Sequence, residues 1–160
     1  MNKAALAIQK LFFLIFIPVF LAGCKDSAVI DTSQEINAHN WGYDNKVSFP
    51  VKITDASKAY NIYFNVRHTA DYRYSNIFVL IHQAGAGIKP TTERREFQLA
   101  YPDGEWLGSG SGNLYSYQLM FRENYRFPKA GTYNFQFEQN MRDNPLREIS
   151  DVGIRVEPVK

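Results

Sequence analysis

Tyr60-Asn61-Ile62-Tyr63-Phe64-Asn65-Val66-Arg67 decides the fold class. Tyr60, Ile62, Phe64 and Val66 take one phase, and Asn61, Tyr63, Asn65 and Arg67 take the other. Period two places one set on an apolar face and the other toward water, which is the pattern of a half-buried strand. Upstream, Val47, Phe49, Val51 and Ile53 repeat the alternation against Ser48, Pro50, Lys52 and Thr54. Pro50 has no N–H for a ladder, so that strand is expected at a sheet edge. Downstream, Ile77-Phe78-Val79-Leu80-Ile81 is apolar in both phases, as expected of a central strand covered on both faces.

Further strands are expected around Arg95, Phe97 and Leu99, along Tyr115, Tyr117, Leu119 and Phe121, at Tyr133, Phe135 and Phe137, and at Val152, Ile154 and Val156. Between them lie turn signals. Tyr101-Pro102-Asp103-Gly104 sets Pro where φ near −65° is wanted and closes on Gly. Gly108-Ser109-Gly110-Ser111-Gly112 reads as a flexible stretch, and Pro128-Lys129-Ala130-Gly131 as another turn. Asn140 to Ile149 has room for one helical turn, which Pro145 keeps from becoming a long helix. Seven to nine short strands without a long helix imply an all-β fold, an antiparallel β-sandwich of immunoglobulin-like or jelly-roll-like type, with a closed barrel as the alternative.

The first residues read differently. From Leu11 to Ala22 only Pro18 is not strongly apolar, and Lys3 and Lys10 are the only charges before Lys25. A basic start, an apolar run of about 12 residues and a small-residue exit describe a secretory signal; a membrane span needs about 20. Residues 1–23 are therefore expected to be a signal peptide, 24–43 a polar tether and 44–160 the β-sandwich domain. Trp41 and Tyr43 are expected to dock the end of the tether. Removing 23 residues leaves 137, with 16 basic and 16 acidic side chains, so the formal charge falls from +2 to zero. A nucleic-acid footprint needs a basic excess, and none remains.

Leu21-Ala22-Gly23-Cys24 resembles the bacterial lipobox. The resemblance implies diacylglycerol on the Cys24 sulfur, cleavage after Gly23 and acylation (palmitate) of the exposed amine. Two or three acyl chains on one residue anchor stably, where one binds only marginally. The plain alternative is a lone thiol in an ordinary cleaved or membrane-buried segment. Cys24 is the only cysteine, so no intramolecular disulfide can form.

Side chains that could carry chemistry are few. His39, His68 and His82 lack the spacing that puts two ligands on one face, and His68 continues the apolar phase of its strand, so core or rim histidines are expected and no metal site or cofactor. Ser109 and Ser111 between glycines lack the spacing of a nucleophile elbow. Asp103 and Glu105 beside Trp106 are the best enzymatic pair, yet Asp is what the turn itself requires. No catalytic residue is assigned. Aromatics off the apolar phase are more informative. Tyr63, Tyr72, Tyr74 and Trp106 suit protein contacts or sugar stacking, or simply roof the open ends of the sandwich. Trp106, Tyr72 and Tyr74 are the expected contact surface.

Several stretches together resemble the gliding motility lipoprotein GldH family. They are Tyr60-Asn61-Ile62-Tyr63, Asp71-Tyr72-Arg73-Tyr74-Ser75-Asn76, Pro102-Asp103-Gly104-Glu105-Trp106-Leu107-Gly108-Ser109-Gly110, Arg126-Phe127-Pro128, Gly131-Thr132-Tyr133 and Asp151-Val152-Gly153. The Pro102–Gly110 tract is the most specific. The resemblance implies an envelope lipoprotein without assigned enzymatic activity, tied to gliding machinery that shares components with type IX secretion. It further implies attachment at Cys24, other envelope proteins as partners and an outer-membrane location. It supplies no other binding residue. The alternative function is a module binding surface carbohydrate through its aromatics.

Overall fold

The computed structural model describes residues 27–159; the expected signal peptide and Cys24 lie outside them. Among the described residues the strands are β1 (Ile30–Glu35), β2 (Asn40–Trp41), β3 (Val47–Ile53), β4 (Tyr60–Thr69), β5 (Asn76–Gly85) and β6 (Ile88–Gln98). They continue with β7 (Ser109–Ser111), β8 (Leu114–Tyr125), β9 (Gly131–Gln139), β10 (Leu146–Arg147) and β11 (Ile149–Pro158). One sheet has the order β1-β11-β4-β8-β7 and the other β3-β9-β5-β6, while β2 and β10 form a small ladder of their own. Every pairing is antiparallel.

Apart from the hairpins β5–β6 and β7–β8, each connection between the two large sheets crosses from one to the other, and the first strand pairs with the last. That is jelly-roll winding rather than the immunoglobulin arrangement. Among the described residues no ladder joins the two sheets, which rules out the barrel alternative.

Alternation explains the core. In β4, Tyr60, Ile62, Phe64 and Val66 are buried and the intervening residues are not. Tyr133, Phe135 and Phe137 of β9 face them from the opposite sheet. Phe64 lies 4.9 Å from Phe137 and 5.4 Å from Phe97 between ring centroids, and Phe121 meets Phe137 edge-on at 6.0 Å. Each such ring contributes roughly 1.5–3 kcal/mol by leaving water. Pro50 sits on β3, an edge strand, as its missing N–H requires.

Four expectations change. The polar segment read as tether contains β1, whose six residues pair with Val156 through Asp151 and are nearly all exposed. Backbone hydrogen bonds and the Arg155–Asp31 ion pair at 2.6 Å hold it, and only Ile30 packs against the core. Ile36 and Trp41 then enter the core, and the Tyr43 hydroxyl donates to the Met141 carbonyl at 2.5 Å. Second, β5 is central but only one face is buried; the other carries half-buried Phe78 under the Arg94 guanidinium at 3.7 Å. Third, residues 140–148 hold no helical turn. Buried Gln139 shapes them by donating to Asp143 O at 2.9 Å and accepting from Met141 N at 2.8 Å, and Leu146–Arg147 pairs with β2. Fourth, the glycine-rich stretch is an ordered edge strand, β7, on β8.

Candidate functional site

The two inward residues that end β4, His68 and Thr69, carry the strand into one end of the sandwich. Tyr72 N–H donates to Thr69 O at 3.1 Å, a tight turn that swings the Tyr72 ring inward. Its hydroxyl donates to Asn76 O at 3.0 Å, and its ring lies 4.9 Å from His68. Tyr74 points the other way and donates to Asp143 Oδ2 at 2.7 Å. From the opposite side, residues 99–108 fold over the same end. Leu99 N–H donates to Ser75 O, Ala100 bridges Trp106, and the Tyr101–Gly104 turn closes with Gly104 at φ +91°. Asp103 Oδ1 accepts from Glu105 N–H at 3.1 Å, so the best carboxylate pair serves its own turn. This anchored loop sets Trp106 edge-on to His68 at 4.4 Å.

The three expected contact residues thus come together, with Tyr72 5.7 Å from Tyr74 and 6.4 Å from Trp106. Their exposure differs from expectation. Tyr72 is only 4% exposed, so it plugs the end of the core and cannot offer a contact face. Trp106 and Tyr74 are half-buried. The exposed apolar groups beside them are Tyr101, at 50%, and Leu107, at 41%. Leu107 lies inside the quoted Pro102–Gly110 tract and follows the Ala100–Trp106 bridge, and Tyr101 opens the turn just before that tract.

His68 is the hub that the strand phase alone did not reveal. Its Nδ1 donates to Thr69 O at 2.7 Å, and its Nε2 lies 3.1 Å from the Tyr117 hydroxyl, which donates to Leu99 O at 2.8 Å. Burial lowers the affinity of this imidazole for a proton, with the bond to Thr69 opposing. Burial also pushes the Tyr117 phenol up to about 12 and raises the Tyr72 phenol. The Asp143 hydrogen bond raises Tyr74.

His82 stands apart, on the outer face of the second sheet. Its ring joins Thr92 Oγ1 at 2.8 Å and Glu138 Oε2 at 3.0 Å. The Lys46 ammonium at 2.8 Å is the largest cause holding the Glu138 carboxyl below its usual range. His39 lies in the turn after β1, so the three histidines are scattered. Among the described residues, hollows open on the surface. One, of about 650 Å³, runs beside Tyr74 between Asp71, Arg73, Arg142, Asp143 and Arg147. Another, of about 460 Å³, lies on the outer face of the first sheet and is lined by Ser33, Asn65, Arg67, Ser116, Gln118 and Asp151.

The family described as GldH lipoprotein matches residues 28–156, which takes in β1, the whole sandwich and the aromatic end. The chain belongs to that family. Among its GldH relatives, the "Gliding motility lipoprotein GldH homolog" of Christiangramia forsetii is 33% identical over 155 residues, covering 92% of this chain and 94% of that protein. The "Gliding motility lipoprotein GldH" of Flavobacterium johnsoniae is 26% identical over 151 residues, covering 90% and 93%. Among solved structures, the infectious bursal disease virus VP2 subviral particle aligns with 89% of this GldH-family chain and 38% of its own. That match has 17% identity and a TM-score of 0.34.

Proposed function

We propose that this chain is a non-catalytic lipoprotein of the gliding motility machinery, anchored through acylated Cys24 in the outer membrane and serving as a scaffold or stabilising subunit. The match of the entire folded body to a family whose relatives are named gliding motility lipoproteins carries this reading. Involvement in type IX secretion belongs to the same proposal. The aromatic end supplies the contact surface for other envelope proteins. Tyr101 and Leu107 are exposed on a loop whose backbone is hydrogen-bonded and whose inner side is packed through Trp106 onto buried His68. Exposed apolar groups on a rigid mount suit association, because little ordering entropy remains to be lost.

Two experiments test this. Metabolic labelling with a fatty acid should mark the wild type and not Cys24→Ser; equal label in both removes the anchor. Tyr101→Ala with Leu107→Ala should reduce co-purification of partners from membranes while the unfolding midpoint stays unchanged. Undiminished recovery would exclude this surface. Trp106→Ala is the less clean probe, since it also strips packing from His68.

A second reading, carbohydrate binding, draws on the hollow of the first sheet, where Asn65 Oδ1 is buried with no hydrogen-bond partner in the described structure. A glycan array hit that disappears in Gln118→Ala would favour it over protein contact.

A further inference from the structure

The chain enters the sandwich at one particular end, and that end differs in charge from the other. Val29 N–H donates to Val156 O at 2.7 Å, Val156 pairs with Ile62, and Pro158 pairs with Tyr60. The amino terminus of the described chain therefore lies with the loops 54–59, 85–90 and 126–130. These loops form one stitched surface. Arg126 donates to Ser57 O at 2.8 Å, Val159 N–H to Ala59 O at 2.9 Å, and the Tyr133 hydroxyl lies 2.8 Å from both Ala86 O and Lys129 O.

Lys58, Lys89, Arg126 and Lys129 are exposed on this surface, and Lys52 lies just behind it on β3. Asp55 is the one acid in the three loops, and it is occupied by Ser57 and by Lys58 at 3.6 Å. Glu123 and Glu157 stand back on the strands, where Arg155 holds Glu157 at 2.8 Å. Exposed Val29 and Val159 flank the same end. The loops of the aromatic end (42–46, 69–75, 99–108 and 140–148) carry six acidic residues against four basic ones. The formal net charge of zero thus hides a dipolar body.

We propose that the basic end rests on the anionic phospholipid headgroups of the leaflet that holds the anchor, so that the aromatic end points away from the membrane. This rests on the anchored reading given above. Cys24 is six residues from Ile30, which limits the reach to about 20 Å even when fully extended. The anchor confines the body beside the bilayer, so electrostatics has only to choose its orientation. Each basic residue at an anionic surface favours the bound orientation roughly fivefold. Four of them outweigh the single occupied acid, and inverting the body would bring the acidic excess to the headgroups.

The test uses the mature acylated chain with one added cysteine, Ala130→Cys at the basic end or Asn113→Cys at the aromatic end. A fluorophore is attached, and the protein is reconstituted with brominated-chain phosphatidylcholine, either alone or with an equal part of phosphatidylglycerol. With phosphatidylglycerol the label at 130 should be quenched more strongly than the label at 113. The difference should shrink in phosphatidylcholine alone, in about 1 M salt, where the screening length is about 3 Å, and in Lys58→Glu/Lys89→Glu/Lys129→Glu. Equal quenching at the two sites, stronger quenching at 113, or indifference to lipid charge in protein that floats with the vesicles overturns the orientation alone. A chain that lacks acyl mass and floats with neither vesicle overturns the anchored reading and the orientation with it.

Discussion

The imidazole of His68 has no exposed surface and lies against the rings of Tyr72, Trp106, Tyr115 and Tyr117, at centroid distances of 4.4 to 5.8 Å. Burial puts its folded-state pKa below the ordinary value of about 6.5. The unfolded chain therefore takes up this proton first as pH falls. The contribution of His68 to stability is constant above about 6.5 and declines below it until the folded imidazole also protonates. Urea unfolding at successive pH values should show that decline, and His68→Phe should flatten it. Tyr117→Phe should cost about 0.5–1.5 kcal/mol, the worth of one hydrogen bond, because the Leu99 carbonyl keeps its second donor, Leu107 N–H at 2.9 Å; the same unfolding curves measure it. The strand phase made His68 legible as an inward residue. Its ring partners were not legible, because Tyr72 turns inward only after the alternation has ended, through a loop hydrogen bond that no periodicity encodes.

At the scale of elements, β1 tests what the periodic pattern can carry. β4 and β9 announce themselves because one face of each is apolar, and the edge position of β3 follows from Pro50. β1 presents Asp31, Thr32, Ser33, Gln34 and Glu35 to water, so its pairing with β11 leaves no hydrophobic trace in the sequence. β7, with only Ser109, Gly110 and Ser111, is silent for the same reason. What admits β1 is Gly153. A Cβ there would meet Ser33 Oγ, Thr32 O at 2.5 Å and Ser33 Cα at 3.0 Å. Gly153→Val should push β1 off β11 while the neighbouring pairs hold. Overpacking of about 1–3 kcal/mol corresponds to roughly 5- to 150-fold faster amide exchange through residues 30–35. Hydrogen exchange with β4 protection unchanged is the expected record, and uniform loss of protection would show that β1 is integral to the cooperative unit.

For the whole molecule, jelly-roll winding puts the chain's point of entry and its aromatic loops at opposite ends. β11 runs ten residues between them, about 33 Å at strand rise. A body of that length can stand on one end and offer the other to a partner, and the two surfaces need not compete. The Pro102–Gly110 tract singled out a distinctive loop, but which end of the molecule holds it follows only from the strand order, since β6 and β7 must deliver it opposite Ile30. Photocrosslinking amino acids placed in the living cell can separate the two ends. At 101 or 107 the photoproduct should be a protein adduct, because these exposed side chains cap the aromatic end. At 58 or 129 it should be a lipid adduct, because the basic loops face the headgroups. Protein adducts at 58 and 129 with lipid at 101 and 107 would mean that the sandwich stands inverted, with its acidic loops toward the membrane. Protein adducts at all four positions would mean that it is enclosed by partners, and the electrostatic orientation would then have no leaflet to act on.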